Sequence, residues 1–377
     1  MLLYSDDFLM TAGTQSEMMD LAVVLLLWVA LGVPWKWKKF RGGFKAEWIG
    51  YHVDFDHYVL GISPRRADWL ACWCERTVRE KEARVEDLRA VMGRLVFALG
   101  ALEYLRPFCA PILSWVAVAG RGGLERLPWS VLFLLAYISE QLRGGYRVQK
   151  VRPHTVDLGP LFRADAKAEG QEVAIGGWEC AGGCPPGKAR WFRLSLTRQN
   201  AAWAFCRGEP FRTIAPIELF ATLISLVVFG PKWRAHTRGR ILLSGQINNL
   251  GNVSVLSRMM SSKFPLIVIM TELAERLRDW DLDMGLDWIP RNQNEEADGL
   301  TNGMVSPFSA ELEVKVDLKD LGLKTLERMW PVADDLYKEV LEKKALSKEK
   351  GVASLSGATT MSSPRSKAKP LRERDPW

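Results

Sequence analysis

Chemistry is first available at Tyr4-Ser5-Asp6-Asp7, a polar step between the apolar pair Leu2-Leu3 and the run Phe8-Leu9-Met10. Two short apolar runs around a polar tetrapeptide predict a tight hairpin with both carboxylates at its turn. Adjacent aspartates on a bend repel each other unless positive charge sits between them, and in nucleotidyl transfer that charge is a pair of magnesium ions. A solvated turn is the bland reading of the same residues. A second group follows at Pro34-Trp35-Lys36-Trp37-Lys38-Lys39-Phe40. Lys36, Lys38 and Lys39 interleaved with indole rings suit a nucleic-acid backbone and its bases, and suit equally a strand edge whose lysines snorkel into water. Three more carboxylates stand at the ends of apolar segments: Asp165 after Leu161-Phe162-Arg163-Ala164, Glu218 in the first turn of an apolar helix, and Asp298 in Asn294-Glu295-Glu296-Ala297-Asp298. Cys180 and Cys184 supply half of a zinc ligand set, with no Cys/His pair at matching spacing to complete it.

Positioning these groups is within the means of a 377-residue chain with 48% hydrophobic and 25% charged residues, a composition with room for two or three globular domains. The formal charge is +7, and the segment from Lys343 to Trp377 holds nine Lys or Arg against three acids, a net +6. The body is therefore close to neutral and the tail basic, which suits a polyanionic partner. Six cysteines without an even framework, and no secretory signal ahead of them, point to a reducing intracellular compartment, nucleus or cytoplasm. The apolar runs Leu21–Val33 and Ile214–Phe229 are read as buried helices and not as membrane spans, the first being short of the ~20 residues a bilayer needs and the second carrying Glu218.

Periodicity places a helix at Gln15–Leu31, apolar on nearly all sides and so expected to be buried. Helices follow at Arg65–Glu82 and Val85–Leu105, the second with Leu88, Met92, Leu95, Leu99 and Leu102 on one stripe. From about Val151 the pattern is three strands (Leu161–Ala166, Glu172–Cys180, Ala189–Thr197), a helix (Pro216–Phe229), a strand (Arg240–Ser244), helix with a break at Pro265 (Val253–Trp280), a strand (Leu286–Ile289) and a short helix. Leu312, Val314, Val316 and Leu318 alternate with charged residues as a strand would, Ala333–Leu346 reads as a charged helix, and residues 348–377 are expected to be a disordered basic tail.

Tyr4-Ser5-Asp6-Asp7 resembles the Tyr-x-Asp-Asp signature of reverse transcriptases, Lys39 resembles that family's lysine near the incoming nucleotide, and Glu47-Trp48-Ile49-Gly50-Tyr51 resembles its primer-gripping turn through Trp48 and Gly50. The element order beyond Val151 is that of the ribonuclease H fold. Ser261-Ser262-Lys263-Phe264-Pro265-Leu266 and the run from Trp288 to Leu300 look like the ribonuclease H region of retrotransposon polyproteins of the DIRS-like group. The resemblance covers roughly residues 1–305. It implies an α/β (α+β) chain: the C-terminal part of a palm (1–62), a helical thumb-like connection (63–150), a ribonuclease H-like mixed five-stranded sheet flanked by helices (151–305), and a strand and helix extension (306–347) before the tail (348–377).

By the same resemblance, Asp6 and Asp7 are polymerase metal ligands, Asp165, Glu218 and Asp298 are ribonuclease H metal ligands for Mg2+, and the partner is an RNA/DNA hybrid. A fourth carboxylate is expected at the end of the fourth strand, where this chain has Ser244-Gly245-Gln246-Ile247-Asn248-Asn249-Leu250-Gly251-Asn252. Counting back from Gly251-Asn252 puts Asn248 there; counting forward from the strand puts Gly245 there. Neither is acidic. Only Met1, Leu2 and Leu3 precede Tyr4, so the third polymerase carboxylate is also missing from the sequence in hand. The expected function is that of a retroelement-derived reverse transcriptase/ribonuclease H fragment, inactive as a polymerase on its own, with a non-catalytic nucleic-acid binder or a residual metal-dependent nuclease as alternatives.

Overall fold

The computed structural model describes residues 2–4, 7–119, 123–151, 155–230, 240–355 and 376–377. Strands β1 (Leu2–Tyr4) and β2 (Asp7–Leu9) pair antiparallel with Tyr4 opposite Asp7, so the expected hairpin forms, while Asp6 lies outside the described residues. Helix α1 (Gln15–Ala30) starts at a capping box in which the Thr14 side chain accepts from the Glu17 amide. Against expectation, none of its residues is buried: Met18 and Leu26 are 63% and 69% exposed. Apolar residues on every side describe the environment a helix suits, and no described element supplies that environment here. Residues 37–39 form a single 3-10 turn in place of a strand edge, with Lys36, Lys38 and Lys39 exposed around stacked Trp28 and Trp35.

A four-stranded antiparallel sheet follows, built from β3 (Lys45–Trp48), β4 (Tyr51–Asp54), β5 (Val59–Ile62) and, much later in the chain, β8 (Val148–Lys150). The β3–β4 turn consists of Ile49 and Gly50, both at positive φ, the condition for the tightest hairpin connection. Ser63 caps α2 (Pro64–Glu80), and Pro64 sits at its first position, where no amide is needed. The short β6 (Glu82–Arg84) pairs with β7 (Leu124–Arg126) and brackets α3 (Val85–Ala98) and α4 (Arg106–Val118). The α3 stripe is buried as expected, but the helix stops at Ala98 and residues 103–105 form a separate 3-10 turn. Helix α5 (Trp129–Arg143) closes this half against α2.

The second half is one mixed five-stranded sheet flanked by helices. Its strands are β9 (Thr155–Glu169), β10 (Glu172–Glu179), β11 (Trp191–Leu196), β12 (Arg240–Ile247) and β13 (Leu282–Trp288), in the order β11-β10-β9-β12-β13. The first three are antiparallel neighbours, whereas β12 runs parallel to both β9 and β13. Helices α6 (Ile214–Phe229), α7 (Leu250–Arg258), α8 (Leu266–Trp280) and α9 (Glu295–Thr301) complete it. Two adjacent glycines on β10 let helices approach both faces. A Cβ on Gly176 would lie 2.7 Å from the Leu300 side chain of α9, and one on Gly177 would lie 2.7 Å from Ser225 of α6. The run Pro210–Phe229 is long and apolar enough to cross a bilayer by length and composition, and most of it is buried inside the protein. Its Leu219, Phe220, Leu223 and Ile224 fill the space between sheet and α8, each such side chain contributing about 1.5–3 kcal/mol of transfer free energy.

Residues 312–318 do not form the expected strand. Single 3-10 turns stand at Ala310–Leu312 and Leu318–Leu321, and the intervening backbone makes one bridge, Glu313 with Trp191. The alternation is satisfied by packing Val314, Val316 and Leu318 against the core without a ladder. Helix α10 (Lys324–Leu355) is longer than the charged segment expected at 333–346. The tail expected to be disordered from 348 is helical to Leu355, and residues 356–375 lie outside the described residues.

Helix α10 joins the two halves, packing on α8, α4 and α5 in one continuous core. Its first turn is capped from another helix: the Glu272 carboxylate on α8 accepts from the Thr325 and Leu326 amides at 2.9 and 3.0 Å and from Arg276 at 2.8 Å. These are amides that a helix start leaves without intrahelical partners, and an anion there also meets the positive end of the helix dipole. Glu272 is 1% exposed, and burial raises its carboxyl pKa against the Leu326 amide and Arg276. Glu272→Ala strands two buried amides and removes one of the acceptors of Arg276, which keeps the Leu321 and Gly322 carbonyls, so a loss of about 2–4 kcal/mol is expected in urea or thermal unfolding, with Glu272→Gln losing less. A change within experimental error would show that the contact contributes nothing net.

Candidate functional site

Four of the residues singled out in the sequence meet at one end of the five-stranded sheet. Asp165 lies on the central strand β9 and is 4% exposed. Its Oδ1 accepts from the Ala166 amide at 2.8 Å, and its Oδ2 accepts from Asn248 Nδ2 at 3.4 Å. Asn248 directly follows β12, where the Trp288 indole donates to its carbonyl at 3.1 Å. Of the two residues that the sequence offers for this place, Asn248 is the one whose side chain contacts Asp165. Gly245 is packed under the strand, where a Cβ would fall 2.4 Å from the Phe162 ring, so no larger side chain fits there without displacing that ring.

Glu218 reaches the cluster from the first turns of α6. Its Oε2 accepts from Asn249 Nδ2 and, at 3.5 Å, from Asn252 Nδ2. Asn249 also caps α7 through its Oδ1, and Asn252, 1% exposed, donates to the Ala215 carbonyl at 2.9 Å. The starts of α6 and α7 are thus tied together through the carboxylate. Asp298 is held on α9, with Oδ1 accepting from Arg291 at 2.8 Å and Oδ2 from Asn302 at 3.2 Å. The helix is pinned to β9 by Asn294, fully buried, which donates from Nδ2 to the Ala164 carbonyl at 3.2 Å.

Electrostatics agree with the geometry. Loss of water pushes the Asp165 carboxyl up to about 6, and the Asp298 charge pushes in the same direction against the Ala166 amide, Arg291 and Asn248. Burial likewise pushes Glu218 up to about 7, with the Asp165 charge adding to it and the Asn249 amide opposing it. The Asp298 charge thus resists the ionisation of Asp165, and the Asp165 charge that of Glu218.

The donors that answer these charges belong to the protein. Asn248, Asn249, Asn252, Asn302 and Arg291 occupy carboxylate oxygens that a pair of divalent cations would need. Among the described residues no group of three or more His, Cys, Asp and Glu is arranged to hold a metal ion. As it stands, this donor set does not fit two magnesium ions. The arrangement can bind and orient polar groups at the sheet end; the carboxyls' raised proton affinity also lets them donate hydrogen bonds when protonated.

The remaining sequence candidates lie elsewhere. Asp7 is in the β1–β2 hairpin, Lys36, Lys38 and Lys39 are exposed beyond α1, and Trp48 and Gly50 are at the β3–β4 turn. None of them takes part in the hydrogen bonds of the Asp165 cluster described above. Sequence reasoning missed Asn249, Asn252, Arg291 and Asn294. The last two lie just ahead of Asp298 in sequence, but Arg291 is in a separate 3-10 turn and Asn294 is the boundary residue before α9, so no single helical periodicity relates them to it. Cys180 and Cys184 are free thiols bonded to the Pro160 and Pro185 carbonyls.

No protein-family model matches the chain, and no curated protein matches it significantly. Among solved structures it is similar to RNase H1 from the halophilic archaeon Halobacterium salinarum NRC-1, with 17% identity and a TM-score of 0.26 over 41% of this chain and 98% of that one. It is also similar to a foamy viral protease-reverse transcriptase solved in complex with an RNA/DNA hybrid, with 13% identity and a TM-score of 0.29 over 74% of this chain. The match spans 34% of that viral protein's length.

Proposed function

We propose that this chain derives from the reverse transcriptase/ribonuclease H region of a retrotransposon polyprotein, of the DIRS-like group, and that it is an intracellular RNA/DNA hybrid-binding protein whose ribonuclease H-type site is disabled at Asn248. The observation that carries the reading is the meeting of Asp165, Glu218, Asn248 and Asp298 at one end of a sheet ordered β11-β10-β9-β12-β13. Hydrolysis of a phosphodiester by that kind of site uses two divalent cations held by carboxylates. In this reading Asp6 and Asp7 are the remnant of a polymerase pair, and Lys36, Lys38, Lys39, Trp48 and Gly50 contribute to the nucleic-acid surface. The binding reading is favoured over an active nuclease by the amides: Asn248 donates to Asp165 where an acidic residue would repel it, and no metal is needed to hold the corner together.

Restoring the charge is the test. Asn248→Asp is expected to give Mg2+-dependent cleavage of the RNA strand of a hybrid at least about tenfold above the parent, which should show little or none. The assay is gel-resolved cleavage of end-labelled RNA in hybrid and in single strand. Strong and equal cleavage by parent and variant would show that the site works with an amide at this corner, and the disabled-site reading would fall.

A further inference from the structure

The first half of the chain holds a contact that the hybrid-site reading does not use. Pro376 and Trp377 pack on the starts of α2 and the end of α3. The Arg66 guanidinium lies 4.4 Å from the Trp377 ring centroid and 5.6 Å from that of Phe97, and Arg66 Nε donates to the Pro376 carbonyl at 3.4 Å. Trp377 meets Phe97 edge-on at 5.2 Å, and Phe97 in turn stacks on Tyr51 at 4.5 Å with the Tyr51 hydroxyl bonded to the Phe97 carbonyl at 3.0 Å. The cation is thus clasped between two aromatic rings and one carbonyl.

Room for the cation comes from Gly50. An added Cβ there would fall 1.4 Å from Arg66 Nη1, so the β3–β4 turn is a seat that only glycine leaves open. The pocket therefore has a floor (Gly50), a wall (Tyr51 and Phe97), a charged centre (Arg66) and an occupant from more than 300 residues away in the chain. Burial lowers the Arg66 pKa from its ordinary value, and the nearby Glu47 and Tyr51 oppose the shift.

We propose that Tyr51, Arg66 and Phe97 form a peptide site for the chain's own Pro376–Trp377, and that the docked dipeptide covers a guanidinium otherwise available to a nucleic-acid backbone. The second clause rests on the proposed hybrid partner. The chemistry is that of cation–π recognition: an indole face offers negative potential to a guanidinium, as a phosphate oxygen would, so the two compete for one cation. A planar guanidinium seated on a glycine turn is also held in place as a phosphate-binding fork, because the bare turn lets it lie flat against the backbone. The docked segment thus sets a threshold for binding, since a phosphate backbone must displace it.

Two measurements on the full chain separate the parts of the proposal. Amide hydrogen exchange reads the docking without any nucleic acid: Trp377→Ala should speed exchange at residues 49–52 and 63–67, and Trp377→Phe should restore most of the protection. Unchanged exchange in Trp377→Ala would overturn the docking. Fluorescence anisotropy with a labelled RNA/DNA hybrid reads the covering: Trp377→Ala should bind about three- to tenfold tighter than the parent, as expected for removal of one cation–π competitor, and the gain should vanish in Arg66→Ala. Equal or weaker binding by Trp377→Ala would overturn the covering. Absence of hybrid binding by every variant would refute the hybrid-binding function and the covering with it, while exchange would still judge the docking.

Discussion

Two carboxyl groups, Asp165 and Glu218, are held where water is scarce, the Asp165 charge resists the ionisation of Glu218, and much of the second half is arranged around that constraint. Like charges at such a place must be protonated, paired with a cation or given hydrogen-bond donors. This chain gives them donors. Asn248 comes from the end of β12, Asn249 and Asn252 from the start of α7, and Arg291 answers the third acid, Asp298, from the approach to α9. These donors stand at or near the ends of elements, so the starts of α6, α7 and α9 and the end of β12 are drawn toward Asp165 on β9. The charge arrangement and the fold are therefore one problem, solved by the same side chains.

A second buried carboxylate shows the same logic used for structure alone. Glu272 takes the free amides at the start of α10, and α10 then covers α4, α5 and α8. The neighbouring Glu275 accepts from Tyr137 on α5 at 3.1 Å and from Thr325, so α8 is tied to both halves. Trp115 on α4 donates to Glu339 at 2.9 Å on the far side of the helix. The long C-terminal helix is thus a brace between the helical layer and the five-stranded sheet, positioned by polar contacts and stabilised by apolar burial.

Where the sequence was legible, the physical reason is local. Strands β9 to β11 and helix α6 alternate or run apolar over a length that fits one element, and the order of elements then leaves few ways to build a sheet. Asp165, Glu218 and Asp298 were visible because each stands beside or within an apolar run, although β9 continues past Asp165 to Glu169 and does not end at it. The choice between Gly245 and Asn248 was not, since a strand's register against its neighbour decides which side chain reaches the sheet end, and Phe162 decides that Gly245 must stay bare. Helix α1 shows the opposite error: its apolar surface states what the helix suits, and burial depends on a partner that the segment's own residues cannot announce. The alternation at 312–318 misled because a single bridge to Trp191 and packing against the core satisfy the same pattern as a ladder. Glu272 and the Arg66–Trp377 contact join residues 53 and 311 positions apart, beyond the reach of any local pattern.

The central claim is that protein donors, and not bound cations, balance the charge at Asp165. Thermal unfolding in chelator and in magnesium tests it most directly, using the parent and Asn248→Asp. The account predicts a parent melting temperature indifferent to magnesium. It predicts a variant less stable than the parent in chelator, because a further carboxylate joins the cluster, and raised by magnesium by about 1–3 °C as the ion binds the folded form. A parent stabilised by magnesium as strongly as the variant would contradict it.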